Sequence, residues 1–238
     1  MNKKLDKYQK WLNLLKEEVL DLSYSEEVWN TITKIEKRSK HFRGHGGHLQ
    51  NWIDVNYTYR TVFQIAKICE PKTYKKDDRS FYKFLKELKD KNYISFEKFL
   101  RAHNPRPIYE KDRKITGYFN NIPLLELTTT VEDVQKDFKK ITHYSWKRKD
   151  FSIMLEKDMQ ILENVFNIVE KFRHKKLAHL TKGNVKNIPT YDDIKQSIII
   201  LKKLTKKYYL ILFNENISFH FFNLDVKTVF KEAWIKDK

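Results

Sequence analysis

The longest periodic stretch of this chain covers residues 150–178 and reads DFSIMLEKDMQILENVFNIVEKFRHKKLA. Its apolar residues recur three and four positions apart, which is the period of one face of an α-helix. They form one stripe: Met154, Leu155, Leu162, Phe166, Val169, Phe172 and Leu177. The stretch therefore predicts the longest helix of a mainly α-helical fold.

The rest of the chain mostly repeats this period, and its five glycines and five prolines are few for 238 residues. Ser23 or Ser25 is expected to begin a second helix, Asp78 to cap a later one, and Thr129 or Thr130 another. The further predicted helices cover about residues 4–20, 23–35, 50–69, 79–89, 96–101, 131–141, 190–208 and 226–234. Together with 150–178 they predict an all-α bundle.

Two segments depart from the helical period. Residues 102–129 contain scattered prolines and Gly117, so they predict an irregular but ordered insertion. Residues 208–222 are rich in aromatic side chains and fit either a helix or a hairpin around residues 213–216. The length allows one domain over residues 1–238.

The composition predicts a folded, basic protein that attracts polyanions. Lysine and arginine number 48 against 31 acids, a net charge of +17, while 40% hydrophobic residues argue against disorder. Cys69 is the only cysteine, so no disulfide within the chain and no cysteine-based zinc site is expected. With no apolar run suited to a signal or a membrane span, the sequence predicts a cytoplasmic protein.

The end of the long helix carries the residues with the most distinctive chemistry, in the run KFRHKKLAHL at 171–180. Arg173 follows Val169 by four positions, so it continues the buried stripe, where a guanidinium needs an anionic partner. His179 lies six helical steps of about 100° further on, which places it on another face. A distorted last turn or a second subunit is needed to bring Arg173 and His179 together.

These side chains suit the chemistry of a phosphodiester. Arginine offers a planar fork of donors for phosphate oxygens and stays charged at any relevant pH. Histidine exchanges a proton near neutrality, as activation of a ribose 2′-hydroxyl and protonation of a leaving 5′-oxygen require.

The run Arg173-His174-x4-His179 resembles the signature of HEPN ribonucleases, and residues 48–213 are similar in arrangement to the abortive-infection branch of that family. The resemblance implies an all-α, HEPN-like helical bundle with added terminal helices, a motif-bearing core over about 48–213, and a homodimer that cuts RNA without a metal or cofactor. It implies that Arg173 binds the scissile phosphate, that His179 is the acid/base or phosphate-polarising histidine, and that His174 orients both. It also implies a toxin or phage-defence effector, and it brings a cognate antitoxin into consideration as a partner.

Further basic and aromatic residues are candidates for contact with RNA. They are Lys175, Lys176, Arg106, Tyr109 and Arg113, with Tyr109 suited to stacking on an unpaired base. They complete the set of predicted site residues.

Two alternatives stay open at this point. One is an inactive HEPN-like module that binds RNA, a nucleotide or a protein. The other is a metal-dependent hydrolase that uses His41, His45 and His48, although no nearby carboxylate pattern completes a metal site.

Overall fold

The computed structural model describes residues 3–38, 47–71, 79–103, 115–119, 122–125, 131–145, 147, 150–173 and 189–219. The helices are α1 (Lys3–Arg38), α2 (Gly47–Cys69), α3 (Phe81–Asp90), α4 (Phe96–His103), α5 (Val131–Thr142), α6 (Ser152–Phe172) and α7 (Tyr191–Phe213). Two short strands, β1 (Ile115–Phe119) and β2 (Ile122–Leu125), lie between α4 and α5 in the chain. Helices dominate the described residues, so the predicted all-α class is confirmed.

The chain forms two compact units. The first takes in residues 1–84, 159–205 and 218–238, and the second takes in residues 85–158 and 206–217. The boundaries fall inside α3, α6 and α7. That residues 1–238 form a single domain stays a prediction.

The N-terminal region forms one helix where the sequence predicted two. Ser23 was expected to begin a second helix, but its hydroxyl donates to the carbonyl of Val19 at 2.7 Å inside the continuous α1. A buried serine that satisfies its hydroxyl within its own helix need not act as a cap. The break predicted near residues 20–25 was therefore wrong.

Side-chain caps define where four of the helices begin. Ser80 and Ser95 accept hydrogen bonds from the backbone N–H three residues on, at 3.1 and 3.3 Å. Asp150 accepts from the N–H of Ser152 at 2.8 Å, and Thr190 accepts from that of Asp193 at 3.1 Å. These oxygens satisfy N–H groups that have no partner inside the helix. The predicted caps Asp78, Thr129 and Thr130 lie outside the described residues.

The long helix α6 buries the stripe that the sequence predicted. Met154, Leu155, Leu162, Phe166, Val169 and Phe172 are all at most 5% exposed. Leu177 lies outside the described residues. The helix ends at Phe172, with a wider, π-type turn at Arg173.

The insertion contains an antiparallel hairpin that the sequence did not reveal. Strands β1 and β2 pair Phe119 with Ile122 and Ile115 with Leu125, with a bulge between Ile115 and Gly117. Strands of five and four residues are too short to show a sustained alternation, and the bulge interrupts what there is. Only two residues separate the strands, a usual length for a hairpin connection.

The ambiguous segment after residue 208 is helical as far as Phe213. Asn214 then takes a left-handed conformation with φ of 56°, and its N–H donates to the carbonyl of Leu210 at 3.2 Å. Asparagine tolerates this conformation and commonly ends helices in this way. Residues 208–219 thus contain no hairpin, and the helix predicted at 226–234 lies outside the described residues.

Each unit has its own aromatic core. In the first, the ring of Phe84 lies 5.7 Å from Trp11 and 6.1 Å from Tyr8. In the second, Phe138 lies 4.9 Å from Phe99 and 5.3 Å from Phe151. Such edge contacts add to the free energy gained from burying the rings.

Among the described helices, none is both long and apolar enough to span a bilayer.

Candidate functional site

Arg173 lies at the C-terminal end of α6, where the sequence placed it on the buried stripe. Its side chain is only 16% exposed. The guanidinium carbon lies 5.4 Å from the centre of the Phe166 ring, two turns earlier on the same helix. Arg173 is therefore part-buried, which agrees with its position on the α6 stripe, and its charge needs compensation.

The anion that meets Arg173 is the carboxylate of Glu70. Nη1 of Arg173 donates to Oε2 at 3.2 Å, and Nη2 donates to Oε1 at 3.3 Å. This fork-to-fork arrangement fixes the plane of the guanidinium as well as its position. The carboxylate is 22% exposed, so water still reaches this pair in part.

Sequence reasoning missed Glu70 because the partners are 103 residues apart. Glu70 directly follows α2, at a position whose contacts the helical period does not specify. An acid just after a predicted helix is a weak signal, since most such residues are simply solvated.

Polar contacts between α1 and α2 fix the position of α2. Glu70 lies directly after the end of that helix. Lys67 donates to Glu18 at 2.7 Å, and Arg60 donates to both carboxylate oxygens of Asp21 at 2.8 Å. The Tyr59 ring of α2 also lies 5.7 Å from the ring of Phe172 on α6. The first two contacts fix α2 on α1, and the contact between Tyr59 and Phe172 places the end of α6 beside α2, where Glu70 and Arg173 meet.

The other predicted site residues lie outside the described residues. They are His174, His179, Lys175, Lys176, Arg106, Tyr109 and Arg113. Their roles stay predictions, as does the meeting of Arg173 with His179.

The alternative metal site can be followed at one residue only. His48 lies in the first turn of α2 with an exposed side chain, while His41 and His45 lie outside the described residues. In the part of the chain that the structure describes, no three histidine, cysteine or acidic side chains group as metal ligands would.

Cys69, the residue before Glu70, is not a candidate nucleophile. Its side chain is fully buried, and burial raises the pKa of the thiol. A thiol is reactive as the thiolate, which this environment disfavours.

The second unit contains another buried ion pair, of a different kind. The carboxylate of Asp158 accepts from Nζ of Lys207 at 2.7 Å and from the hydroxyl of Tyr208 at 2.6 Å. Burial and the Asp158 charge raise the pKa of Tyr208, so its hydroxyl stays protonated and donates.

Comparison with known proteins places the chain in a family. No curated protein and no solved structure matches it. The family model HEPN AbiU2 matches residues 5–232, which include α2, α6 and the run of Arg173, His174 and His179. The match also takes in the N-terminal residues before 48, to which the resemblance seen in the sequence gave little support. The chain therefore belongs to the AbiU2 family of HEPN proteins.

Proposed function

We propose that this protein is a metal-independent endoribonuclease of the HEPN type. The observation that carries the proposal is the mostly buried guanidinium of Arg173, fixed by Glu70 at the end of α6. It directly precedes His174 in a run that matches the signature of HEPN ribonucleases. Phosphodiester cleavage without a metal requires an oriented cation for the phosphate and histidines for proton transfer.

In the proposed reaction a ribose 2′-hydroxyl loses its proton to a histidine and attacks the adjacent phosphorus. The bond from phosphorus to the 5′-oxygen breaks, and that oxygen takes up a proton. Arg173 stabilises the negative charge of the phosphate, His179 acts as acid/base or polarises the phosphate, and His174 orients both. The products carry a 2′,3′-cyclic phosphate and a 5′-hydroxyl.

Glu70 enters this proposal as the residue that positions Arg173. A carboxylate that accepts from both Nη atoms holds the guanidinium in one plane, so the arginine need not be ordered when RNA binds. Lys175 and Lys176, which follow in sequence, are proposed to add the positive charge that a phosphate beside Glu70 requires.

The proposed setting is the cytoplasm, where the protein acts as a toxin or phage-defence effector that a cognate antitoxin neutralises. Family membership supports a role of the abortive-infection kind. We further propose a homodimer, because residues six helical steps apart do not share a face and a second copy supplies the missing half of the site.

The test compares the purified wild type with His179→Ala on RNA in the presence of EDTA. We expect fragments with 2′,3′-cyclic phosphate ends from the wild type only. Equal cleavage by both proteins would assign the activity to a contaminant and overturn the proposal. Absence of cleavage by the wild type, across RNA substrates and under activating conditions, would overturn it as well.

The Glu70 contact also favours a second candidate, an inactive HEPN-like module that binds RNA, a nucleotide or a protein. Because Glu70 already compensates the charge of Arg173, the burial of this arginine does not itself require a phosphate. This candidate predicts salt-sensitive RNA binding that largely survives Arg173→Ala, with no cyclic-phosphate ends.

A further inference from the structure

Helix α2 exposes large apolar side chains although its opposite face is buried. Trp52 is 63% exposed and Phe63 is 58% exposed, while Val55 and Tyr59 are each 37% exposed. The positions 52, 55, 59 and 63 follow the helical period, so these residues form one continuous stripe, here called the α2 stripe. The opposite face includes Tyr57, Ile65 and Ile68, all at most 8% exposed. A helix that is apolar on both sides is normally covered on both.

The rotation of α2 about its axis is fixed by contacts along one flank of the stripe. Arg60 donates to Asp21 at 2.8 Å, and Lys67 donates to Glu18 at 2.7 Å. Between them, Gln64 donates to the carboxylates of both acids at 3.1 Å. Since three successive turns are anchored to α1, the stripe faces outward because of specific contacts.

The stripe is also unusually poor in charge for this chain. The whole sequence carries +17, yet no lysine occurs between Lys40 and Lys67. From the start of α2 to Phe63 the only charged residues are Asp54 and Arg60, and Arg60 already pairs with Asp21. Bases that stack on aromatic side chains need cations nearby for the phosphates, and between its start and Phe63 helix α2 supplies only Arg60, which already pairs with Asp21.

A second copy of the same chain fits this surface better than RNA does. Two molecules of charge +17 repel each other across most of their surfaces, and the repulsion is weakest where an uncharged, apolar patch faces its own copy. In a two-fold pairing the same patch contributes from both sides, and one helical stripe can pack against another. We infer that two copies of this chain associate through their α2 stripes.

This inference deepens the proposed function and rests on it, since the proposed site needs a homodimer. The stripe reaches the site through Tyr59, whose ring lies 5.7 Å from that of Phe172, the residue before Arg173. Pairing along the stripe therefore puts the α6 end of each copy next to the dimer interface. The surface that joins the copies and the surface that holds Arg173 are then continuous.

The experiment measures the molar mass of the full-length protein by light scattering across the micromolar range. The variant is Trp52→Glu with Phe63→Glu, and the matched control is Leu14→Glu, an apolar residue of α1 that is 46% exposed. We expect dimers for the wild type and the control, and a monomer for the double variant. A milder pair, Trp52→Gln with Phe63→Gln, is expected to raise the dissociation constant at least about 30-fold, and circular dichroism shows whether each variant is folded.

Several outcomes would overturn the inference. These are a wild type that is monomeric throughout, a folded double variant that dimerises like the wild type, and a double variant that loses affinity for labelled single-stranded RNA while its mass is unchanged. Cleavage is assayed separately on the same samples. A dimer that depends on the stripe supports the inference even when the wild type cuts no RNA, and that result then counts only against the ribonuclease.

Discussion

Two ion pairs in the described part of the chain, Lys207 with Asp158 and Arg173 with Glu70, are shielded from water to different degrees. Asp158 is 8% exposed and accepts from Lys207 and Tyr208 at 2.7 and 2.6 Å. Arg173 and Glu70 are 16% and 22% exposed, and their contacts are longer, at 3.2 and 3.3 Å. Asp158 sits in a closed polar cluster, whereas the Arg173 pair lies nearer to water and at a helix end.

The difference separates a structural pair from one suited to function. A carboxylate that is almost fully buried and has two short bonds has little freedom to exchange partners, so Asp158 fastens α6 to α7 within the second unit. A guanidinium in a looser and more accessible pair can admit a second anion at lower cost. In the function proposed above Arg173 binds a phosphate, and its greater exposure is consistent with that role.

The largest effect is expected from breaking the closed cluster. Asp158→Ala leaves the ammonium of Lys207 and the hydroxyl of Tyr208 without their shared acceptor, and should lower the free energy of unfolding by about 3–5 kcal/mol. Urea unfolding measures this loss in the free energy of unfolding. The control is Glu156→Ala on the same helix, whose solvent-exposed pair with Lys89 is expected to contribute far less to stability. Equal losses in the two variants would refute a special role for Asp158.

Removing the arginine should affect cleavage more than stability. Arg173→Ala is expected to lower the rate of RNA cleavage by about 10²–10³-fold, because it removes charge stabilisation from the transition state. Its unfolding free energy should fall by less than that of Asp158→Ala, since Glu70 is partly exposed and can be hydrated. Single-turnover kinetics and urea unfolding measure the two effects. Arg173→Lys should also cleave slowly, because lysine lacks the planar fork.

A smaller effect on cleavage is expected from Glu70. Glu70→Ala leaves Arg173 without the carboxylate that fixes its plane, so kcat should fall about tenfold with little change in KM. Glu70→Gln keeps one acceptor oxygen and should recover part of the loss. Glu156→Ala, which breaks an exposed pair with Lys89 in the second unit, is the matched control and should leave kcat unchanged. An unchanged kcat in folded Glu70→Ala would restrict Glu70 to a structural role.

The smallest effect on stability is expected from a local contact at the start of α7. Thr190→Ala removes the two hydrogen bonds that the Thr190 hydroxyl makes with Asp193, keeps the bond from the Thr190 N–H to the Asp193 carboxylate, and should cost about 1 kcal/mol. The Thr190 N–H and hydroxyl bonds lower the pKa of Asp193, so their stabilisation is present above the usual aspartate pKa and is lost as pH falls through the lowered value. Thermal unfolding at neutral pH and at about pH 2 should show the difference from wild type shrinking in acid. A difference independent of pH would contradict the role of Asp193.

Much of the fold could be predicted because the buried face of a helix is formed by residues three and four positions apart. Within the predicted helix 79–89, Phe81, Phe84, Leu85 and Leu88 recur three and four positions apart, and all four are 0% exposed. Thr190 marked the start of α7 for a similarly local reason, since the groups it caps lie within three residues. The failures were also local: Ser23 bonds within its helix, and the hairpin strands are too short for a period to show.

The candidate site could be predicted only in part. The stripe on α6 revealed that Arg173 is buried, because residues four apart share a face. Nothing near it in sequence pointed to Glu70, and nothing in α2 showed which of its apolar residues would remain uncovered. Both depend on how α1, α2 and α6 pack, and on contacts across many residues such as Gln64 to Glu18.

The sequence by itself determined the helical class, the buried stripe of α6 and the signature at residues 173–179, because each depends on residues that lie a few positions apart in the chain. Only the tertiary structure decided that a carboxylate 103 residues away compensates Arg173, and that α2 turns Trp52 and Phe63 outward. Charge compensation and exposure are set by atoms that folding brings together, and one-dimensional spacing does not encode which atoms those are.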